Sequence, residues 1–423
     1  MSFSSRLNHV AIIGSGVSGL SLALALSQAS IAVSVFEARP ASHDIGGGIM
    51  LSPNALRVLD SLGAFQKIRA SSYEFDTFVF KNATGETTDV YYFGSTEQYG
   101  YPALRVERKI LLSTLTMMVR ERKVDIEYSK GFVRIISESS KDQTVTFELD
   151  DGSTRTCSLL IGADGIHSQV REQIFPSYMP VYSGFTAINC TVPRSALRIP
   201  EGYDLPATVM APPGAFLLVP QKQDGSELLI GSQMRMQERT REGWAALRAD
   251  KQGLLDTLNE TKDQWPDIVQ SALEAAPVDN MGIWPFFTVP ALPRWASETS
   301  LVVLIGDAAH AIPPTAGQGV NQAFEDAATL ATLLGKLSAN ITLERALCWW
   351  QKYRQARVDK VMDLTRQMNA KRLPASEKAK LPKDTIWSDE GATRGDGKQL
   401  SWLYTLDLLQ EVNAWISDND IKD

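Results

Sequence analysis

His9-Val10-Ala11-Ile12-Ile13-Gly14-Ser15-Gly16-Val17-Ser18-Gly19, running on to Ile31-Ala32-Val33-Ser34-Val35-Phe36-Glu37, is the stretch that decides the fold. A buried-looking run, a turn dense in glycine, a helix-length segment with little polar relief and a β-branched run spell strand, turn, helix and strand. That is a βαβ unit. The turn matches G-x-G-x-x-G between a strand and a helix, with an acid closing the next strand, the context that gives this pattern its meaning. Glycines at 14, 16 and 19 let the backbone turn tightly and approach a pyrophosphate, whose charge meets unpaired N–H groups at the helix N-terminus. Glu37 can accept hydrogen bonds from ribose hydroxyls. The plainer alternative is a glycine turn in an ordinary α/β sheet with Glu37 solvated.

Val10 to Phe36 carries no charged side chain, so by length alone it could pass for a membrane span or a signal-peptide core behind Arg6. The glycines, the β-branched flanks and the recurring Ser and Gln favour the βαβ unit, and no other long apolar run occurs. A soluble, cytoplasmic protein without a membrane span is expected. The 423 residues are 44% hydrophobic and 22% charged, ordinary values for two or three domains or one large two-part body. Forty-two basic against 49 acidic side chains give 42 − 49 = −7, a charge that repels phosphate backbones and argues against a nucleic-acid partner. Cys157, Cys190 and Cys348 lie far apart without a C-x-x-C pair, which fits a reducing compartment. The four histidines have no metal-ligand spacing, so no metal is expected.

Further along, Ser52-Pro53 starts a helix that Gly63 stops. Alternation from Phe75 to Phe93 and from Val124 to Leu149 predicts antiparallel strands. Cys157 to Ile161 and Leu301 to Ile305 read as short buried strands, and Val181 to Met236 is β-rich. Val320 to Leu337 and Leu343 to about Met368 are helical. Lys371 to Gln399 reads as a polar surface linker before a short amphipathic helix around Trp402 to Trp415.

Two later motifs narrow the nucleotide. Gly162-Ala163-Asp164-Gly165-Ile166-His167-Ser168-Gln169-Val170-Arg171 follows one buried strand. Gly306-Asp307-Ala308-Ala309-His310 follows another and runs through Pro313-Pro314 into Gly317-Gln318-Gly319-Val320-Asn321. An Asp just beyond a strand can hydrogen-bond a polyol, and the second glycine turn exposes the first N–H groups of a helix, an end that favours negative charge. Taken alone, Asp307 could equally cap a loop, and Asp164, Ser168 and Arg171 could form a strand-end turn with a Ser helix cap. His310 reads as a buried, hydrogen-bonded structural residue.

With these three motifs in this order, from residue 9 to about 370, the chain resembles the class A (group A) flavoprotein monooxygenases. This para-hydroxybenzoate hydroxylase-like group includes salicylate hydroxylase and kynurenine monooxygenase. The resemblance implies an α/β plus α+β fold: a Rossmann-like FAD-binding domain of residues 1–75, 100–180 and 290–370, interleaved with an antiparallel-sheet substrate domain of 76–99 and 181–289. Residues 371–423 would be linker and C-terminal helix. It implies FAD as cofactor, held at Gly14, Gly16 and Gly19, with Glu37 on the adenosine ribose and Arg39 beside it. Asp164 and Gly165 would serve FAD and pyridine-nucleotide handling, and Asp307 the ribityl chain. Pro314, Gly317, Gly319, Val320 and Asn321 would approach the flavin ring, Arg108 would contact FAD, and Gly47 and Gly48 would lie near a mobile flavin. Read alone, Arg39 and Arg108 could be surface arginines, and Gly46 to Gly48 only a flexible turn.

The implied reaction reduces FAD with NADPH or NADH, forms a C4a-hydroperoxide with O2 and hydroxylates or epoxidises an electron-rich aromatic or conjugated small molecule. The flavin carries that chemistry, and no catalytic side chain is singled out, in keeping with the absence of a Ser-His-Asp or Cys-His arrangement. There is no second G-x-G-x-x-G, no F-x-G-x-x-x-H-x-x-x-W pattern, and no W-x-W-x-I-P halogenase motif. Phe216, Leu218, Phe287 and Pro313 are the expected substrate-lining residues, with plain core packing as the alternative for each. Thr186 to Cys190 lacks the Trp-Arg pair expected of many salicylate hydroxylase relatives, which points to a specialised substrate of secondary metabolism. An FAD-dependent dehydrogenase or oxidase on the same fold, or a non-catalytic flavin-binding sensor, remain the competing readings.

Overall fold

The computed structural model describes residues 7–42, 46–388 and 400–420. The βαβ unit forms as strand Val10–Ile13, helix Val17–Gln28 and strand Val33–Glu37. Val10–Ile13 is the middle of a five-stranded sheet, with Val33–Glu37 and then Asp125–Tyr128 on one side, Leu159–Gly162 and then Val302–Leu304 on the other. Every pairing in it is parallel. All residues of Val10–Ile13 and Leu159–Gly162 are buried, as expected of strands covered on both faces. The chain changes direction across the sheet between these two strands, and at such a switch point the strand ends open a crevice that ligands occupy.

One expectation is corrected here. Asp125–Tyr128 is not antiparallel but the outer parallel strand, while Phe132–Ser139, Thr144–Leu149 and Thr154–Cys157 make a separate antiparallel meander. Alternation reports a partly exposed strand and says nothing of its direction.

A seven-stranded sheet forms the second layer. Its order is Gly282–Thr288, Val181–Pro193, Glu227–Arg235, Gly214–Pro220, Ala207–Ala211, Thr77–Lys81 and Thr87–Tyr92. The pairings are antiparallel except where Ala207–Ala211 meets Thr77–Lys81. One face carries Ile188, Phe216, Leu218 and Ile230 into a core shared with Leu254, Trp265 and Val269. Because successive side chains point to opposite faces, the residues between them, such as Leu217 and Leu229, turn toward the nucleotide layer.

Helix Gly319–Leu334 packs on Val17–Gln28, and the long helix Leu343–Lys371 packs on Gly319–Leu334. The expected surface linker is corrected as far as residue 388. Lys371 ion-pairs with Asp89 at 2.5 Å, and Trp387, 2% exposed, packs on Phe80 and Tyr91 with centroids 5.7 and 5.2 Å away. Charged neighbours hid this anchor in the sequence. Residues 389–399 of that stretch, like Arg6, lie outside the described residues. The C-terminal helix is split into Ser401–Tyr404 and Leu408–Asn419. Among the described residues no helix is long and apolar enough to cross a membrane.

Candidate active site

The three glycine-bearing motifs touch. Gly14 has φ +106°, and a Cβ there would sit 2.5 Å from the Ala163 carbonyl oxygen; one at Gly19 would sit 2.0 Å from that of Gly14. Gly306, at φ +59°, lies against the first helix so closely that a Cβ would come 2.2 Å from Ser18 Oγ. Gly16 is different: a Cβ there meets nothing within 4 Å. The first two close contacts and the Gly306 contact are protein against protein, whereas the space at Gly16 is open to a ligand. Glu37 is drawn to the turn, its Oε2 accepting from Ser15 N and Ser15 Oγ, both at 2.9 Å, and its Oε1 from Arg39 N at 3.0 Å. Arg39 is exposed.

The Asp164 segment satisfies itself. Asp164 Oδ1 accepts from Ser168 Oγ at 2.5 Å and Oδ2 from Gln169 N at 2.8 Å, while Ser168 Oγ caps Arg171 N at 2.9 Å. Burial pushes the Asp164 carboxyl up against the opposing pull of these donors. Arg171 spends its guanidinium on the carbonyls of Ala308, Ile166 and Tyr178 at 3.0, 2.6 and 3.0 Å, which fastens this turn to the Asp307 segment. Gly165, at φ +80°, makes the bend.

Between the nucleotide layer and the seven-stranded sheet lies a cavity of about 520 Å³. Gly47, Gly48, Arg108, Asp307, Pro314, Gly317, Gly319 and Val320 line one part of it. Arg108 N donates to Gly47 O at 2.9 Å, so the glycine loop and the arginine are positioned together. Asp307 opens into the cavity, yet protein packs around its carboxyl. Burial raises its pKa, with His310 and Arg108 pulling the other way. Among the described residues none donates a hydrogen bond to that carboxylate. Burial also lowers the Arg108 pKa, opposed by Asp307 and reinforced by Arg39, so these three form one electrostatic neighbourhood. Asn321 does not line the cavity: its Oδ1 accepts from Ser52 N at 2.9 Å and its Nδ2 donates to Met50 O and Gly317 O at 3.1 and 2.6 Å. It holds the helix start against strand Gly48–Leu51.

The four expected substrate-lining residues fall elsewhere. Phe216 and Leu218 belong to the second core, Phe216 packing on Trp265 at 5.7 Å, and Phe287 sits beside Tyr182 at 5.6 Å. Pro313 yields its place to Ile312 and Pro314. The sheet's contribution comes from the opposite parity, through Leu217, Val219, Phe286 and the half-exposed Trp284. Arg105 and Arg372 also line the cavity and were not singled out in the sequence. Strand pairing could have supplied the parity; nothing local marks Arg372.

Behind the site is a buried ion network. Arg354 donates to Glu325, to Asp326 Oδ1 at 2.8 Å and to Gln322 Oε1 at 2.7 Å; Arg357 donates to Glu325 at 2.6 and 2.9 Å. Asp326 Oδ2 accepts from Gly306 N at 2.9 Å and lies 2.6 Å from His310 Nε2. Burial alone would raise the Glu325 pKa, but Arg357 and Arg354 outweigh it and bring it to about 2. Through Gly306 the network fixes the turn that presents Asp307.

The FAD binding domain family model matches residues 8–365. The chain belongs to this family. It is 30% identical over 352 residues to a salicylate hydroxylase from Pseudomonas putida, covering 77% of this chain and 76% of the relative. It is 28% identical over 410 residues to a 3-amino-4-hydroxybenzoate 2-monooxygenase from Streptomyces cremeus, covering 94% of each. The fold is shared with a salicylate hydroxylase substrate complex at a TM-score of 0.76 and 23% identity, over 99% of this chain and 100% of that one. The protein is therefore an FAD-dependent monooxygenase, a member of the group that its motifs resemble. Its residues fit the cofactor: room at Gly16 for a pyrophosphate, an acid at Asp307 that accepts no hydrogen bond from the described residues, and a helix N-terminus beginning at Gly319.

Proposed function

We propose that this flavoprotein hydroxylates a small electron-rich aromatic or conjugated molecule, using NADPH or NADH and O2. When bound, the flavin supplies electron uptake from the nicotinamide and activation of oxygen. The chain's own residues do the rest. The glycine turn and Glu37 hold the nucleotide end, Asp307 and Arg108 hold the polyol end, and the N–H groups at the start of Gly319–Leu334 favour negative charge beside the cavity. Leu217, Val219 and Phe286 make an apolar wall that excludes water from the reacting centre. Residues 1–75, 100–180 and 290–370 serve the cofactor, and 76–99 with 181–289 serve the substrate. Arg372, just past the end of the long helix, also lines the cavity.

The observation that carries this reading is one cavity bounded both by the expected flavin-facing residues and by the apolar face of the seven-stranded sheet. Purified protein should carry flavin and oxidise NAD(P)H faster when its substrate is added, with oxygen from labelled O2 appearing in the product. A desaturated, unlabelled product would replace this reading with a dehydrogenase. Bound flavin without turnover of any ligand would replace it with a sensor.

A further inference from the structure

We propose that the substrate presents a hydrogen-bond donor and an acceptor side by side, as the edge of a lactam does, and that Asn189 reads this pair, an inference that rests on the cavity being the substrate chamber. Asn189 lies on strand Val181–Pro193 and lines the cavity. Its neighbours Ile188 and Cys190 enter the second core, so its own side chain takes the opposite face, toward the nucleotide layer. Among the described residues no group hydrogen-bonds to its side-chain amide.

The strand register clears space around that amide. Asn189 pairs with Gly231 on one side and with Gly282 on the other. Cross-strand partners share a face, so both flanks of the amide lack a side chain. At Gly231 a Cβ would sit 2.7 Å from Asn189 Cβ and 2.3 Å from Ile188 O, so only glycine fits there. A Cβ at Gly282 would instead rest 3.6 Å from Asn189 Oδ1, in ordinary contact, and its absence leaves that oxygen uncovered on this flank. Larger neighbours stand one position away: Trp284 and Gln233 beside Ala187, and Leu217 next to Gly231. The result is a recess in a mostly apolar floor, with one amide at its base.

The other amide and aliphatic hydroxyl side chains on the cavity are spent on protein. Gln233 Nε2 donates to Asn369 Oδ1 at 2.9 Å, Thr315 Oγ1 donates to the same oxygen at 2.5 Å, and Ser232 Oγ donates to Ala215 O at 2.9 Å. The Tyr91 hydroxyl also has no partner, but strand Thr87–Tyr92 is the far edge of the sheet. A primary amide donates from nitrogen and accepts at oxygen in one plane, so an adjacent N–H and C=O on a ligand satisfy both halves together. A ligand with a lone hydroxyl leaves one half unpaired once water is expelled, and loses affinity for it. The glycine flanks admit a planar ring to this position, with the half-exposed Trp284 indole at its rim.

The test titrates the flavin-loaded protein by calorimetry with 2-pyridone, 2-quinolone, oxindole and isoindolinone, each paired with its N-methyl form, which keeps the ring and the carbonyl and lacks the donor. At least one lactam should bind about tenfold more tightly than its N-methyl form. In Asn189→Leu, a change of similar volume, that preference should fall to about twofold or less. A purely steric penalty on the methyl group would persist in this variant. Its flavin content should match wild type.

The proposal is overturned if no lactam outbinds its N-methyl form in the wild type, or if Asn189→Leu keeps the preference. Loss of flavin from Asn189→Leu would make Asn189 a cofactor contact instead, and equal weakening of both members of each pair would make it a packing residue. Should Asn189→Leu fail to fold, Asn189→Ala decides by the same preference. Flavin missing from the wild type would count against the monooxygenase reading, a separate failure.

Discussion

Arg354, in the middle of the long helix, and Arg372, just past its end, are both buried, at 0% and 8% exposure, and they are treated in opposite ways. Around Arg354 burial is overcome by Glu325 and Asp326, and its pKa rises; at Arg372 burial outweighs the opposing pull of Tyr91 and the pKa falls to about 10. Two acids repeat the contrast. Asp326 is held by His310 and Arg354 and its carboxyl is kept low despite burial, whereas no described residue donates a hydrogen bond to Asp307 and burial, opposed by His310 and Arg108, raises its carboxyl. Arg354 and Asp326 brace the scaffold, while Arg372 and Asp307 line the cavity.

The largest effect that tests this contrast is on stability. Arg354→Met should cost about 3–5 kcal/mol, because it takes one cation from two fully buried carboxylates. Urea unfolding measures this, and a loss below about 1 kcal/mol would erase the distinction between the two arginines. Acid should act on the same network. Glu325 has its folded pKa depressed to about 2, so its contribution is complete above the unfolded value near ~4.3 and drains away as pH falls toward the folded one. The urea midpoint should therefore drop between about pH 4.3 and 2, and a Glu325→Gln variant should show a shallower drop; parallel pH profiles would contradict the assignment.

Strand parity offers a second pair. Leu218→Ala, on the core face, should cost about 2–5 kcal/mol. Leu217→Ala, on the cavity face, should cost less than half as much and instead change ligand affinity. Equal losses in urea would mean the two faces are not distinct. A smaller effect separates the acids: Asp307→Ala should weaken FAD binding by roughly tenfold or more, the scale of losing charge-assisted hydrogen bonds, while leaving the apoprotein's unfolding midpoint unchanged. Equilibrium dialysis with FAD checks it, and wild-type flavin occupancy would remove Asp307 from the site.

The cofactor side was legible because its rules are local. Gly14 and Gly19 must be glycine to permit backbone approaches that any Cβ would block, and the acid at Glu37 follows from the length of one βαβ unit. The substrate side depends on relations the linear order does not carry. Whether Leu217 or Leu218 faces the cavity depends on which layer covers each face of strand Gly214–Pro220. Glu325 and Asp326 look like the polar side of an amphipathic helix until Arg354 and Arg357 arrive from the next one. Trp387 sits in a charged stretch, and its burial follows only from the hairpin that offers Phe80 and Tyr91. Arg372 carries no motif at all.

The strand order also bears on biosynthesis. Strand Val10–Ile13 acquires its neighbour on the crevice side at Leu159–Gly162, and the turn that braces it comes after Leu304. A nascent chain thus exposes its glycine fingerprint long before the opposing lip of the crevice has left the ribosome. Flavin capture is consequently a late event, unable to template the early steps of folding, and the chain must hold its unfinished sheet out of aggregation without the ligand's help.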